Sequence, residues 1–183
     1  PGIEVSLWLG NSGTVAQQVL QGAADLGFAG LRPELPGLQV RPFAEDQIVL
    51  ATPAGHRLTR EVVFSQELLA GQTLTLREAG SGTRRVVEDG LAQLQVRPGR
   101  VLEMAGCEGV KRGVAAGLGV GFASRRSLTL ELAQGLLCIS PIAEFTFQRP
   151  LYTLARKDRR HTSAALAFVA TLAKDGPSAL SSG

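Results

Sequence analysis

The stretch Glu78-Ala79-Gly80-Ser81-Gly82-Thr83-Arg84-Arg85 decides the fold class that this sequence predicts. It follows a short apolar run, Thr73-Leu74-Thr75-Leu76, and it opens a segment with helical spacing. A strand, a Gly-Ser-Gly-Thr turn and a helix start can hold a small anion, because the first amide N–H groups of a helix have no intrahelical partner and the helix dipole favours negative charge there. Ser81 and Thr83 add hydroxyl donors. The stretch therefore predicts a receptor for a small anion and not a catalyst.

A second glycine-rich stretch further along the chain reads Ala115-Ala116-Gly117-Leu118-Gly119-Val120-Gly121-Phe122. It follows a predicted helix and leads into a predicted strand, which is the reverse of the order in a dinucleotide-binding turn. We therefore interpret it as a helix cap at Gly117 followed by close packing of a helix on a sheet.

Composition narrows the class of protein. The 183 residues are enough for one large domain or two small lobes, and 44% hydrophobic with 19% charged residues is typical of a globular chain. No apolar run approaches the ~20 residues that a membrane-spanning helix needs. The net charge of +3 is too small and too dispersed to predict nucleic-acid binding by this segment.

The spacing of histidines and cysteines in the sequence does not indicate a catalytic site or a metal site. His56 and His161 are the only histidines, and neither has a nucleophile and an orienting partner at a suggestive spacing. Cys107 and Cys138 form no CxxC pair and are compatible with a reducing compartment. We therefore predict no catalytic residues, no metal and no cofactor.

Strands and helices alternate along the chain, which predicts an α/β fold with a parallel sheet. The predicted strands cover 3–9, 24–29, 38–43, 47–52, 73–76, 100–104, 120–123, 136–139 and 147–155. The predicted helices cover a segment from the capping residues 11–14 to Gly22, then 61–69, 84–94, 109–116, 126–133 and 163–173, and residues 178–183 are predicted to be disordered.

The order of these motifs, from residue 1 to about 173, resembles the effector-binding domain of LysR-type transcriptional regulators. No single piece is decisive, but their order and spacing together are specific. The matching pieces are Pro1-Gly2-Ile3-Glu4-Val5 with Gly10-Asn11-Ser12, Leu20 to Phe28, Ile48-Val49-Leu50-Ala51 before Pro53, His56-Arg57-Leu58, Glu78 to Arg85, Val114 to Phe122, and Gly135-Leu136-Leu137.

This resemblance implies a periplasmic-binding-protein type II architecture, in which two crossover strands join two α/β lobes and the effector lies in the cleft between them. Lobe I would comprise 1–52 and 142–183, and lobe II would comprise 53–141. Two pieces of the family pattern have no counterpart here: the N-terminal winged helix-turn-helix, and the strand and helix that normally begin the effector domain. The chain is therefore expected to be an isolated regulatory domain, and its lobe I is expected to lack a first strand and helix that are either truncated or supplied from elsewhere.

The resemblance also assigns the effector contacts. They would be Asn11 and Ser12 on lobe I, Ser81, Gly82 and Thr83 on lobe II, and Gly119 and Val120 on the far wall. Arg84 is added as the charged effector contact, because its planar guanidinium matches a carboxylate, sulfate or phosphate. Each hydroxyl or amide has an alternative role as a helix cap that contributes ~1 kcal/mol, and Arg84 could equally be an exposed surface arginine. Glu78 is expected to pair with Arg84 or Arg85, which would leave the site close to neutral.

The leading hypothesis is thus a cytoplasmic, non-enzymatic effector sensor that binds a small anionic metabolite. It would form a homodimer or homotetramer through regulatory domains, have no membrane partner, and reach DNA only through a winged helix-turn-helix domain outside this chain. A solute-binding protein of a transporter, which shares the fold, is the alternative.

Overall fold

A computed structural model of the chain describes residues 4–159 and 162–174. The helices are α1 (Ser12–Leu20), α2 (Gly82–Gln93), α3 (Gly106–Ala115), α4 (Thr129–Ala133) and α5 (Ser163–Lys174). The strands are β1 (Gly27–Ala29), β2 (Leu38–Pro53), β3 (Thr73–Arg77), β4 (Arg100–Met104), β5 (Val120–Ser124), β6 (Leu137–Ile139) and β7 (Thr146–Arg156). Short 3₁₀ turns occupy Arg57–Thr59, Arg125–Leu128 and Ala143–Phe145. The sequence predictions for residue 3, His161 and 178–183 lie outside the described residues.

The chain divides into two compact units. Unit 1 comprises Pro1–Glu45 and Pro150–Gly183, and unit 2 comprises Asp46–Arg149. The long strands β2 and β7 each continue from one unit into the other, so the chain crosses between the units twice. The boundaries predicted at 52/53 and 141/142 both fall inside unit 2.

Unit 1 packs helix α1 on a small sheet. β1 runs antiparallel to β7, with Gly27 opposite Leu154, and β7 lies between β1 and β2. Ala16 and Val19 of α1 are fully buried in the core of this unit together with Leu154. A Cβ atom at Gly27 would come within 2.8 Å of the Val19 side chain, which shows how closely the helix approaches the strand.

Unit 2 carries helices on both faces of its sheet. Its strand order is β2-β5-β3-β4, with β3 parallel to both β4 and β5, while β2 runs antiparallel to β5 and pairs with β6 at its end. Because side chains alternate along a strand, Ile48 and Leu50 of β2 enter the core beneath α2, whereas Val49 and Ala51 enter the core beneath α3. This two-sided burial explains the nearly continuous apolar run in β2.

The structure differs from the sequence predictions in three places. The strand predicted over 3–9 is wrong for the described residues 4–9, which form no strand and leave Leu7 and Leu9 more than 80% exposed. Alternating apolar residues are not sufficient there, because a strand also needs a neighbour for its backbone hydrogen bonds. The helix predicted over 61–69 is wrong as well, because residues 61–65 are irregular and residues 66–69 form a turn. The β-branched pair Val62 and Val63 near its start disfavours a helix.

The third difference concerns β2. The two strands predicted over 38–43 and 47–52 are one continuous strand, Leu38–Pro53. The sequence suggested a break because Glu45 and Asp46 interrupt the apolar pattern. Asp46 is nevertheless only 3% exposed within the strand, since its carboxylate has partners from other strands.

Candidate functional site

Two helix N-termini lie at one edge of the unit 2 sheet. β3 and β4 are parallel and in register, with Arg77 opposite Met104, and each strand leads directly into a helix, α2 after β3 and α3 after β4. Ligands of parallel α/β sheets bind at this carboxyl edge, because the helix starts direct unpaired amide groups there. The glycine-rich stretch 78–85 forms the first of these two connections.

The start of α2 has the predicted geometry. Ser81 is the N-cap residue in an extended conformation, and its Oγ accepts a hydrogen bond from the amide of Arg84 at 3.5 Å. Within the part of the chain that the structure describes, no hydrogen bond uses the amide groups of Gly82 and Thr83. Ser81 is 3% exposed and Thr83 is 9% exposed. The helix therefore presents two unsatisfied amide donors and two buried hydroxyl groups.

A buried ion pair lies against this helix start. The Nη1 group of Arg149, on β7, donates to Oγ1 of Thr83 at 3.0 Å. The same guanidinium donates from Nε and Nη2 to Oδ2 of Asp46, on β2, at 3.0 and 2.8 Å. Oδ1 of Asp46 accepts a hydrogen bond from Ser124, the last residue of β5, at 2.7 Å. The side chain of Asp46 is 2% exposed and that of Arg149 is 11% exposed.

In this cluster the carboxylate of Asp46 is fully hydrogen-bonded, whereas the guanidinium of Arg149 keeps unused donors. Both oxygens of Asp46 have donors, so the carboxylate is satisfied. A guanidinium carries five N–H groups, and Arg149 uses three of them in these bonds. Its two remaining N–H groups and the unsatisfied amides of Gly82 and Thr83 form a set of donors suited to an anionic oxygen.

The second helix start is already occupied by a carboxylate of the chain itself. Oε2 of Glu78 accepts a hydrogen bond from the amide of Gly106, the first residue of α3, at 2.9 Å. Glu78 also forms a two-pronged pair with Arg77, at 2.7 and 2.8 Å. The predicted pairing of Glu78 with Arg84 or Arg85 is therefore wrong, because Arg85 pairs with Asp89 one helical turn away and Arg84 has partners of its own.

Hydrogen bonding lowers the pKa of Glu78. The bond from Arg77 is the largest cause and the amide of Gly106 assists it, so the pKa falls from its ordinary 4.5 to about 2. A carboxylate whose pKa is depressed in the folded state stabilises the fold above its unfolded pKa, and this contribution disappears as the pH falls toward the folded pKa. The stabilisation by Glu78 is thus complete above pH 4.5 and lost between pH 4.5 and about 2.

Glu78→Gln should lower the free energy of unfolding by about 1–2 kcal/mol at pH 7, since charge-assisted hydrogen bonds are lost at a partly exposed position. Urea denaturation at pH 7 and at pH 3 measures the effect, and the difference from the unsubstituted chain should shrink at pH 3. Glu67→Gln, which neutralises an exposed carboxylate, provides the control. Equal losses at both pH values would contradict the assigned role of Glu78.

Arg84 does not have a free guanidinium. Its Nε donates to Glu88 at 2.7 Å, and its Nη1 contacts Glu103 and the carbonyl oxygen of Arg77. These two carboxylates raise the pKa of Arg84 and neutralise its charge locally. Arg149 is therefore the better placed cation at the start of α2, because it already contacts Thr83 and keeps unused donors.

The predicted residues Gly119 and Val120 do not lie beside Ser81, Gly82 and Thr83. Val120 pairs with Leu74 near the beginning of β3, whereas α2 starts beyond the other end of that strand. The Val120 side chain is fully buried in the core, and its carbonyl oxygen accepts a hydrogen bond from Thr75 at 3.1 Å. The end of β5 that reaches the α2 start is Ser124.

Asn11 and Ser12 belong to unit 1. Asn11 is the N-cap residue of α1, and its Oδ1 accepts hydrogen bonds from the amide and the hydroxyl of Thr14 at 3.0 and 3.1 Å. The structure therefore shows the capping role that the sequence offered as an alternative for Asn11. Ser12, the first residue of the helix, is 9% exposed.

Sequence reasoning missed Asp46, Ser124 and Arg149. A weak signal existed, because Arg149 is a charged residue inside a predicted strand and Asp46 directly precedes another. A buried charge requires a partner of opposite sign, but nothing in the sequence indicated that these two residues, which lie on different strands, pair with each other.

No group of three or more histidine, cysteine, aspartate or glutamate side chains is suitably arranged for a metal ion among the residues described. Over the same ranges, 4–159 and 162–174, each helix is too short or too polar to span a bilayer.

The fold and the edge site of unit 2 define an α/β ligand-binding domain, and comparison with known proteins identifies its family. The chain belongs to the LysR substrate binding domain family, whose sequence model matches residues 1–176. The resemblance noted in the sequence is therefore confirmed. So is the predicted fold class, the periplasmic-binding-protein type II-like fold of LysR effector-binding domains.

The chain is similar to three proteins that differ in how much of their length it covers. The regulatory domain of CcmR from Synechocystis PCC6803, solved in complex with 2-PG, superposes with a TM-score of 0.87 at 28% identity over 97% of this chain and 85% of that one. The HTH-type transcriptional activator CmpR from Synechocystis sp. is 31% identical over 92% of this chain and 56% of its own length. The phosphonates import ATP-binding protein PhnC from Anaeromyxobacter dehalogenans is 36% identical over 92% of this chain but only 34% of its own length. The chain thus spans little more than half the length of CmpR.

Proposed function

We propose that this chain is the effector-sensing domain of a LysR-type transcriptional regulator and that it binds a small anionic metabolite at the start of α2. The observation that carries the proposal is the pair of unsatisfied amides at Gly82 and Thr83, next to the buried guanidinium of Arg149. A helix N-terminus, a hydroxyl and a cation with unused donors form a complementary site for a phosphate or carboxylate oxygen.

The charged side chains at this site leave no excess positive charge, so hydrogen-bond donors would hold the anion. Asp46 balances the charge of Arg149, and the two carboxylates of Glu88 and Glu103 exceed the single charge of Arg84 by one. The remaining positive potential comes from the start of α2, which is equivalent to roughly half an elementary charge. The complex of the CcmR domain with 2-PG makes 2-PG the first metabolite to test.

Binding of 2-PG should raise the midpoint of thermal unfolding, because a ligand that binds only the folded state stabilises it. Thr83→Val should weaken this binding about tenfold, since it removes a buried hydroxyl at the site and alters the contact with Arg149. Isothermal titration calorimetry measures both affinities.

Thr52→Val is the matched control for this experiment. Thr52 is also a fully buried threonine of unit 2, and its hydroxyl donates to the carbonyl oxygen of Cys138. The control should leave the affinity for 2-PG within about twofold of the unsubstituted chain. If Thr83→Val and Thr52→Val have the same affinity, or if no small anion from a panel of phosphates, sulfates and carboxylates stabilises the chain, the proposed site is incorrect.

The wider role follows from the family. We infer that the whole protein acts in the cytoplasm without catalysis, assembles through its regulatory domains as a dimer or tetramer, and contacts DNA through a separate winged helix-turn-helix domain. The effector would alter transcription only if it binds one conformation of the domain more tightly than another. The expected result is a footprint of the full-length protein on operator DNA that changes when 2-PG is added.

A solute-binding role in transport is the alternative candidate. Its support is weaker, because PhnC is named as the ATP-binding protein of phosphonate import and not as a solute-binding protein. The two candidates differ in what the full-length protein contacts. A regulator retards operator DNA in a gel, whereas a transport component copurifies with a transporter and leaves the DNA unretarded.

A further inference from the structure

Unit 1 contains a cationic cavity that none of the roles described so far uses. It lies where the loop that joins β1 to β2 folds over the first residues of β2 and the end of β7, and its volume is about 670 Å3. Pockets for small molecules typically occupy ~300–1,000 Å3. The cavity is therefore large enough for a small organic ligand.

The walls of this cavity are fixed by the fold. The amide of Lys157 donates to the carbonyl oxygen of Gly37 at 2.9 Å, which attaches the loop to the residue after β7. Leu35 and Val40 line the cavity and pack against the core of unit 1. Pro33 and Pro36 restrict the loop backbone further, because a proline ring locks φ. A cavity held in this way loses little entropy when a ligand enters it.

The charge of the cavity is strongly positive. Arg32, Arg41 and Lys157 line it, and Glu34 is its only acidic lining residue. In the described residues, none of the three cations forms an ion pair. All three side chains are exposed, so water weakens their mutual repulsion, but together they present an unpaired positive charge to an anion.

The chemistry of the lining specifies the anion. Each of the two planar guanidinium groups can donate two parallel hydrogen bonds to two oxygens of a phosphate or carboxylate, and Lys157 adds a compact positive charge. The three cations and the single glutamate that line the cavity carry a net charge of +2. This charge balances that of a phosphate monoester near neutral pH. The apolar side chains of Leu35 and Val40 suit an organic body attached to the phosphate. We propose that unit 1 binds a small organic phosphate monoester in this cavity.

Phenyl phosphate is the probe for this second site, because it joins a dianionic phosphate to an apolar ring. In amide NMR spectra of the isotope-labelled chain it should cause saturable shifts at Arg32, Gln39 and Lys157, and it should bind about fivefold more tightly than inorganic phosphate. The double variant Arg32→Gln/Arg41→Gln should weaken binding at least about tenfold, since two charge-assisted contacts are lost.

The double variant Arg97→Gln/Arg100→Gln is the matched control. It makes the same change of charge at two exposed positions of unit 2 and should leave the affinity within about twofold. Equal affinities of the two double variants, or shifts confined to Ser81, Gly82 and Thr83, would overturn the cavity as a phosphate site. So would binding of a duplex oligonucleotide without binding of phenyl phosphate. This test does not depend on the proposed effector site, because the two sites are read from different amides.

Discussion

Replacing Arg149 with Met should lower the free energy of unfolding by about 3–5 kcal/mol, because the carboxylate of Asp46 is then buried without its counter-charge. Asp46 is 2% exposed and would retain one hydrogen bond, from Ser124. Urea denaturation at pH 7, followed by circular dichroism, measures the loss. Arg85→Gln is the control, since it breaks an exposed pair with Asp89 and should cost only ~0–1 kcal/mol.

A second substitution separates the charge from the packing of Arg149. The double variant Asp46→Leu/Arg149→Met removes both charges and should recover most of the stability that Arg149→Met loses, because an unpaired buried charge costs more than an apolar pair of similar volume. If the double variant is no more stable than the single one, the ion pair is not what holds β2 and β7 together at this point. Loss of 2-PG binding in the double variant would assign Arg149 a contact with the effector as well.

Gly119→Ala should destabilise unit 2 by about 3 kcal/mol, as steric overlap and backbone strain add. A Cβ atom at this position would overlap the carbonyl oxygen of Thr73, which is main chain of β3 and cannot rotate away. The residue also has a φ of +156°, which side chains rarely adopt. Thermal unfolding of the variant in the absence of ligand measures the effect.

Gly117→Ala is the matched comparison from the same stretch. Gly117 has a φ of +78° at the end of α3, but no atom lies within 4 Å of the added Cβ, so the cost should be about 1 kcal/mol. If Gly119→Ala and Gly117→Ala lower the stability by similar amounts, Gly119 is not closely packed against β3. An effect of Gly119→Ala on the affinity for 2-PG at unchanged stability would instead return Gly119 to the binding site.

The start of α2 could be predicted because its signals are local. Ser81, Gly82 and Thr83 follow an apolar strand directly, and capping acts over three or four residues, so sequence spacing is sufficient to place them. The helix cap at Gly117 is confirmed for the same reason, since a positive φ at the end of a helix selects glycine.

The rest of the site depends on strand order, which the sequence does not contain. Thr83, Asp46, Ser124 and Arg149 come from four separate elements, and pairing between distant strands brings them together. The position of the stretch at Gly119 relative to the start of α2 could not be predicted, because the direction of β5 relative to β3 becomes visible only in the register of the sheet. The contact between Glu78 and Gly106 could not be predicted, because these two residues are adjacent only when β3 and β4 lie side by side.

The bond between Glu78 and the start of α3 also determines how many ligands this edge can accept. The parallel strands β3 and β4 lead into α2 and α3 at the same rim of the sheet. The two helix N-termini there would make two equivalent anion positions. One position is filled permanently by a carboxylate of the chain, whose pKa of about 2 keeps it charged at every physiological pH. If the effector binds at this rim, we expect a stoichiometry of one, set by the side chain of Glu78.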